Sequence, residues 1–295
     1  MLAAHRARAQ LLDLLRDLRR FLVDEGRDVL LDFTTVYRME SSATLLFASE
    51  LRRTVALAKP GVRIRCVAPR NVRMQQVLKQ IHLFELLRYR KRVVPTFKDV
   101  RHWRYATGHC VDGEKYESIL GDFEGQVADA LLDRLFRGIT EAMTNCHHHA
   151  YILPRQDGLS AQPAQKDWWM FSQEKDGYLT VVFCDLGVGI PTTLPVKRPA
   201  LWKRMIGMGQ LGDGEIIRQA LEDSKTRTGK SYRGKGLKQL LEAAQMFQGG
   251  SLRIYSNGGC YTYEHGQEKV REFSNSILGT LIQWKVPIVQ SNLQL

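Results

Sequence analysis

Residues 181–191 read VVFCDLGVGIP, an apolar run, a carboxylate, and then two glycines set one residue apart. An unbroken apolar stretch with two β-branched residues suits a buried strand. Such a strand delivers Asp185 to its end, where Gly187 and Gly189 turn the chain sharply and let its backbone pass close to a ligand. A carboxylate there accepts a hydrogen bond from the exocyclic amine of adenine, a donor that guanine lacks at the same position. The strand extends back over YLTVVFCDL and pairs through the turn Lys175-Asp176-Gly177 with a second one, WWMFSQ.

Upstream, beyond a polar loop at 153–167, a long helix is expected over 121–150. Ala128, Leu132, Leu135, Ile139, Ala142, Met143, Cys146 and Ala150 fall on one stripe of it. Glu141 and Asn145, four residues apart, lie together on the opposite side, flanked by His148 and His149. Asn offers Mg²⁺ a neutral oxygen, and Glu one turn earlier can take a proton from an attacking water or hydroxyl. Downstream, a Gly- and Lys-rich stretch (191–233) leads to YRGKGLKQLLEAA at 232–244. Gly234 and Gly236 stand just before a helix, whose free N–H groups and dipole favour phosphate; Arg233 and Lys235, with Lys225, Arg227 and Lys230 upstream, add positive charge. A short strand LRIYSN, an irregular piece and a closing strand GTLIQWKVPI (279–288) follow.

Together these segments resemble the N, G1 and G2 boxes of the GHKL ATPases, the family of gyrase, heat-shock chaperone, histidine kinase and mismatch-repair ATPases. EAMTNCHHHA, DLGVGI and RGKGL stand in family order, and Gly279-Thr280 is similar to the family's late Gly-Thr. The resemblance covers about 121–288. It implies a two-layer α/β sandwich of the Bergerat type, with a mixed sheet, helices on one face, and a lid over 191–233. It also implies ATP and Mg²⁺ as ligands, Glu141 as catalytic base and Asn145 as the Mg²⁺ ligand. His149, Asp185, Gly187, Gly189, Ile190, Arg233, Gly234, Lys235, Gly236, Leu237 and Thr280 would join Asn145 in holding the nucleotide. Two rival motifs fail. TGKS (228–231) ends like a P-loop, but the first glycine would fall on Ser224. Cys146 and His147 to His149 are consecutive on a helix and point apart, with no second cluster at metal spacing.

Residues 1–98 carry a different pattern. A helix at 3–22, the strand DVLLDF (28–33), a helix at 41–58, the strand VRIRCVA (62–68) and a helix near 71–80 make a small α/β unit with parallel strands. This unit resembles a STAS domain, the fold of anti-sigma factor antagonists. In that family a serine at the start of a helix is phosphorylated by a GHKL-type kinase, and Ser42 takes its place here. Glu40 and Ala43 stand where the family has Asp and Gly, and the family's opening strands are missing. Capping of the helix is the structural alternative for Ser41 and Ser42. A basic, aromatic junction at 99–120 separates this half from the ATPase region, 121–290.

The 295 residues carry a net charge of +12, spread along the chain, and five scattered cysteines without disulfide or CxxC spacing. No stretch reaches the length of a membrane span or has the apolar core of a signal peptide, so the expected location is the cytoplasm. The combined reading is an ATP-binding regulatory switch that hydrolyses ATP or phosphorylates a serine and meets a protein partner through its STAS-like half. A DNA-associated ATPase clamp, using the basic surface for nucleic acid, and a nucleotide-gated binding module without chemistry are the alternatives. A homodimer is a further open assembly.

Overall fold

The structure is a computed structural model that describes residues 2–101, 103–121, 129–159, 166–207, 209, 211–226, 236–246 and 248–288. Helix α1 (His5–Arg19) widens into a π-helical turn at Arg20–Glu25 and stops at Gly26, which is left-handed. Strands β1 (Val29–Asp32) and β2 (Ile64–Val67) pair in parallel across the crossover helix α2 (Ser41–Leu57), as the sequence pattern expects. Helices α3 (Val72–Gln80), α4 (Leu83–Leu86) and α5 (Lys98–Arg101) complete this half.

The remaining strands are β3 (Arg104–Gly108), β4 (Trp168–Lys175), β5 (Tyr178–Asp185), β6 (Ser251–Ser256), β7 (Gly259–Glu264), β8 (Gln267–Glu272) and β9 (Thr280–Pro287). They form one sheet in the order β3-β4-β5-β9-β6-β7-β8. Every neighbouring pair is antiparallel, which corrects the expected mixed sheet. The cause is connectivity: β4–β5 and β6–β7–β8 are hairpins, and β9 enters between β5 and β6 running against both.

The middle of the sheet is apolar on both faces because both are covered. On the front lie α7 (Asp129–Asn145), which runs on through a π-helical turn at Cys146–Ala150, together with α10 (Asp213–Thr226) and α11 (Gly236–Gln245). Leu135, Ile139 and Leu240 from these helices pack with Val181, Phe183, Ile254, Ile282 and Trp284. On the back, Leu45, Leu46 and Leu51 of α2 and Leu15 and Leu18 of α1 share a core with the alternate residues Trp169, Phe171, Val182, Cys184 and Leu281. The helix α6 (Glu114–Leu120) borders β3 and β4. The two halves of the chain thus meet through the sheet.

Ser42 belongs to this back contact. Its hydroxyl is fully buried and donates to Gln283 of β9, while Ser41 Oγ donates to Gln173 Oε1 of β4 at 3.1 Å. Glu40, not a serine, caps α2, accepting from the backbone N–H of Ser42 and of Ala43. The phosphoacceptor expected at Ser42 therefore meets a closed surface: a phosphate donor reaches it only if α2 leaves the sheet. All five cysteines are free thiols. No helix among the described residues is long and apolar enough to cross a membrane.

Candidate functional site

A cavity of about 770 Å³ opens on the front of the sheet, between the end of α7, the ends of β5 and β9, and the segment after β5. That segment holds α8 (Ile190–Lys197) and α9 (Pro199–Ile206) before α10, three helices where the sequence suggested a lid. Eight of the residues singled out by sequence line this one cavity: Glu141, Asn145, His149, Asp185, Gly189, Ile190, Leu237 and Thr280.

Asp185 is the last residue of β5 and sits in register with Thr280, the first of β9. Its Oδ1 accepts from the Gly187 N–H at 3.0 Å. Burial pushes its carboxyl up to about 6, against the backbone hydrogen bonds from Gly187 and Thr280 and the nearby Arg155 charge. Thr280 Oγ1 lies 3.1 Å from Ser256 Oγ, which also accepts from the Ile190 N–H at 2.8 Å. Ser256 so ties the strand end to the glycine turn.

The two glycines do different work. A Cβ on Gly187 would stand 2.2 Å from the Ala150 carbonyl oxygen, so this glycine lets β5 close on the end of the α7 helix, where the Val188 N–H donates to that same oxygen at 2.8 Å. Gly189 has a left-handed φ of +82°, and a Cβ there would meet Asn257 Oδ1 at 2.5 Å. Asn257 in turn donates through Nδ2 to the Val188 carbonyl at 3.0 Å and to Thr192 Oγ1 at 3.1 Å. Gly189 stands in the cavity wall.

At the other end, Glu141 and Asn145 reach the cavity from one side of α7, and Asn145 Nδ2 donates to Glu141 Oε1 at 2.8 Å. That bond leaves the Asn145 carbonyl oxygen as the group open to a cation. Burial raises the Glu141 pKa, against the Asn145 hydrogen bond. His149 Nδ1 is shielded and makes no hydrogen bond among the described residues. Burial and the charges of Lys197, His148 and Arg198 lower its pKa, against a weak backbone contact with His148. No group of three or more His, Cys, Asp and Glu side chains is placed to hold a metal among the described residues. An Mg²⁺ at Asn145 would have to take its other oxygens from water and a bound phosphate.

Gly236 starts α11, directly before Leu237 in the cavity wall. Arg233, Gly234 and Lys235 lie outside the described residues, as does TGKS at 228–231. Ser224, where a P-loop would need its first glycine, is a buried helical residue whose hydroxyl donates to the Leu221 carbonyl at 2.6 Å. Sequence reasoning missed Ser256 and Asn257, which lock the turn, and Lys197, Arg198 and Asp223, which line the cavity from the end of α8, the residue after it, and α10. Asn257-Gly258-Gly259 is an evident turn signal, but nothing local to it points at a site on another segment. Compared with known protein families and with curated proteins, the chain matches no family model and no curated sequence.

Proposed function

We propose that this chain is an ATP-binding regulatory switch of the GHKL class, a Bergerat-type nucleotide site carried with an N-terminal STAS-like module. The observation that carries the reading is convergence. Four segments spread over residues 141–280, each carrying chemistry suited to a nucleotide, supply eight residues to one cavity. A chance scatter of motif-like residues gives no reason for that grouping.

In this reading Asp185 accepts from the adenine amine and Thr280 supports the same end of the base. Ile190, Leu237 and Ile282 provide the apolar surface a purine ring needs. Asn145 offers its carbonyl oxygen to Mg²⁺, which when bound neutralises phosphate charge. Glu141, with its pKa raised by burial, takes the proton of an attacking water or hydroxyl. Lys197 and Arg198 bring positive charge to the helix end of the cavity, where the phosphates would lie. Burial of Ser42 favours hydrolysis, or transfer to a serine on a partner, over transfer to this chain's own α2.

The test follows γ-labelled ATP with Mg²⁺, reading free phosphate and labelled protein together for the wild type and Glu141→Gln. Phosphate released by the wild type and lost in the variant supports an ATPase switch. Label on an added partner supports a serine kinase. A wild type that binds no ATP at any concentration up to millimolar overturns the reading.

A further inference from the structure

Behind the cavity lies a buried ionic cluster that the proposed chemistry does not use. Arg155, on the loop after α7, is enclosed: it donates through Nη2 to Glu50 of α2 and lies 3.4 Å from Asp157 through Nη1. Glu50 also pairs with Arg19 of α1 at 3.1 Å, and Asp157 with Arg53 of α2 at 2.7 Å. The four partners of these last two pairs already balance, so Arg155 is a third guanidinium against two carboxylates. A buried surplus charge is costly unless another group of opposite sign stands near.

One hydrogen bond shows where Arg155 is directed. Its Nε donates to the Leu278 carbonyl at 2.7 Å. Leu278 has a φ of +53°, a left-handed conformation that a leucine adopts at a cost, and it immediately precedes Gly279-Thr280. A Cβ on Gly279 would stand 2.4 Å from the Asp185 carbonyl oxygen, so this turn packs directly on the end of β5. Through space, its positive charge also draws the Asp185 carboxyl down, a weaker influence than burial and the two backbone hydrogen bonds. The remaining titratable groups facing Asp185 are Tyr151 and Cys146 from the α7 end and Cys184 beside it on β5, all kept neutral by burial.

We propose that Arg155 is a positioning residue for nucleotide recognition: it pins the Leu278–Gly279 turn that presents Thr280, and it is itself set by Glu50. The inference rests on the ATP reading of the cavity. Its consequence is that α2, in the STAS-like half, forms part of the support of the adenine end, so a partner that shifts α2 changes nucleotide affinity through one ion pair.

The test is ATP titration of the full chain between pH 5 and 8 for the wild type, Arg155→Met, Arg155→Lys and Glu50→Gln, with urea unfolding in parallel. Arg155→Met leaves Glu50 with Arg19 and Asp157 with Arg53, so the variant is expected to fold. It should bind ATP about tenfold more weakly at neutral pH, the scale of one lost hydrogen bond to a charged group. The midpoint of the pH dependence should rise, because the Arg155 charge that draws the Asp185 carboxyl down is gone. Arg155→Lys should keep the midpoint near that of the wild type while affinity still falls, since one ammonium does not replace the fork of donors. Glu50→Gln should move the midpoint down, because one of the two carboxylates that offset the Arg155 charge is then gone. A folded Arg155→Met protein with wild-type affinity and midpoint overturns the inference while leaving the ATP reading in place. If that variant does not fold, unchanged affinity in Arg155→Lys overturns it instead. A wild type that binds no ATP removes the ATP reading and this inference with it.

Discussion

The two ends of the cavity are built differently. At the sheet end, Asp185, Gly189 and Thr280 are fixed by strand register, by Ser256 and Asn257, and by glycines whose replacement would collide with neighbouring atoms. At the helix end, Glu141, Asn145, His149 and Lys197 project from helix surfaces. The one hydrogen bond joining any two of their side chains is that from Asn145 to Glu141. A rigid end suits recognition of an invariant base; an adjustable end suits phosphates and a proton transfer that must rearrange. Substitutions at the two ends should therefore separate binding from turnover.

The largest expected effect is on chemistry. Glu141→Gln should lower ATP turnover by about 10²–10⁴-fold, the range for loss of a general base, while ATP affinity stays within about threefold. Turnover at the wild-type rate, measured as released phosphate, would remove the difference between the two ends. Next is the over-determined turn. Gly187→Ala places a methyl group against the Ala150 carbonyl and should cost about 2–3 kcal/mol in urea unfolding. An unchanged unfolding midpoint would mean that the sheet end is looser than described.

A smaller effect follows from Asp185. Burial lifts its carboxyl from the ordinary 3.8 to about 6, so between those values the folded protein holds a proton that the unfolded chain releases. Stability without nucleotide should fall as pH rises through that window. ATP affinity should move the other way, because the proposed adenine contact uses the ionised form: binding should weaken below pH 6 by at most about tenfold per unit. Flat affinity from pH 5 to 8 would exclude Asp185 as the acceptor. The smallest effect is on the back of the sheet. Ser42→Ala should cost about 1 kcal/mol by leaving Gln283 without its donor, with ATP turnover unchanged. Loss of turnover in that variant would restore Ser42 as a functional hydroxyl.

The contrast also explains what could be read from the chain. The parallel β1–α2–β2 unit, the β4–β5 hairpin, the helix carrying Glu141 and Asn145, and Asp185 at a strand end all follow from local periodicity and turn chemistry. The edge strands did not. β8 reads QEKVRE and β3 reads RYATG, charged or basic as exposed edges tend to be, without an apolar alternation to reveal them. Helix α8 is hidden by Pro191 near its start and Pro195 within it. Ser256, Asn257 and Arg155 act through partners up to 123 residues away, and Ser42 is closed off by a sheet its own segment does not encode. Such contacts belong to the tertiary fold and leave no local mark.

The most direct test of the central claim is calorimetric titration of Mg-ATP and Mg-GTP into the wild type and Asp185→Asn at pH 7.5. Saturable one-site binding of ATP is expected, with little or none of GTP, and ATP affinity lower by about a hundredfold or more in the folded variant. Equal binding of both nucleotides, or unchanged ATP affinity in Asp185→Asn, would contradict it.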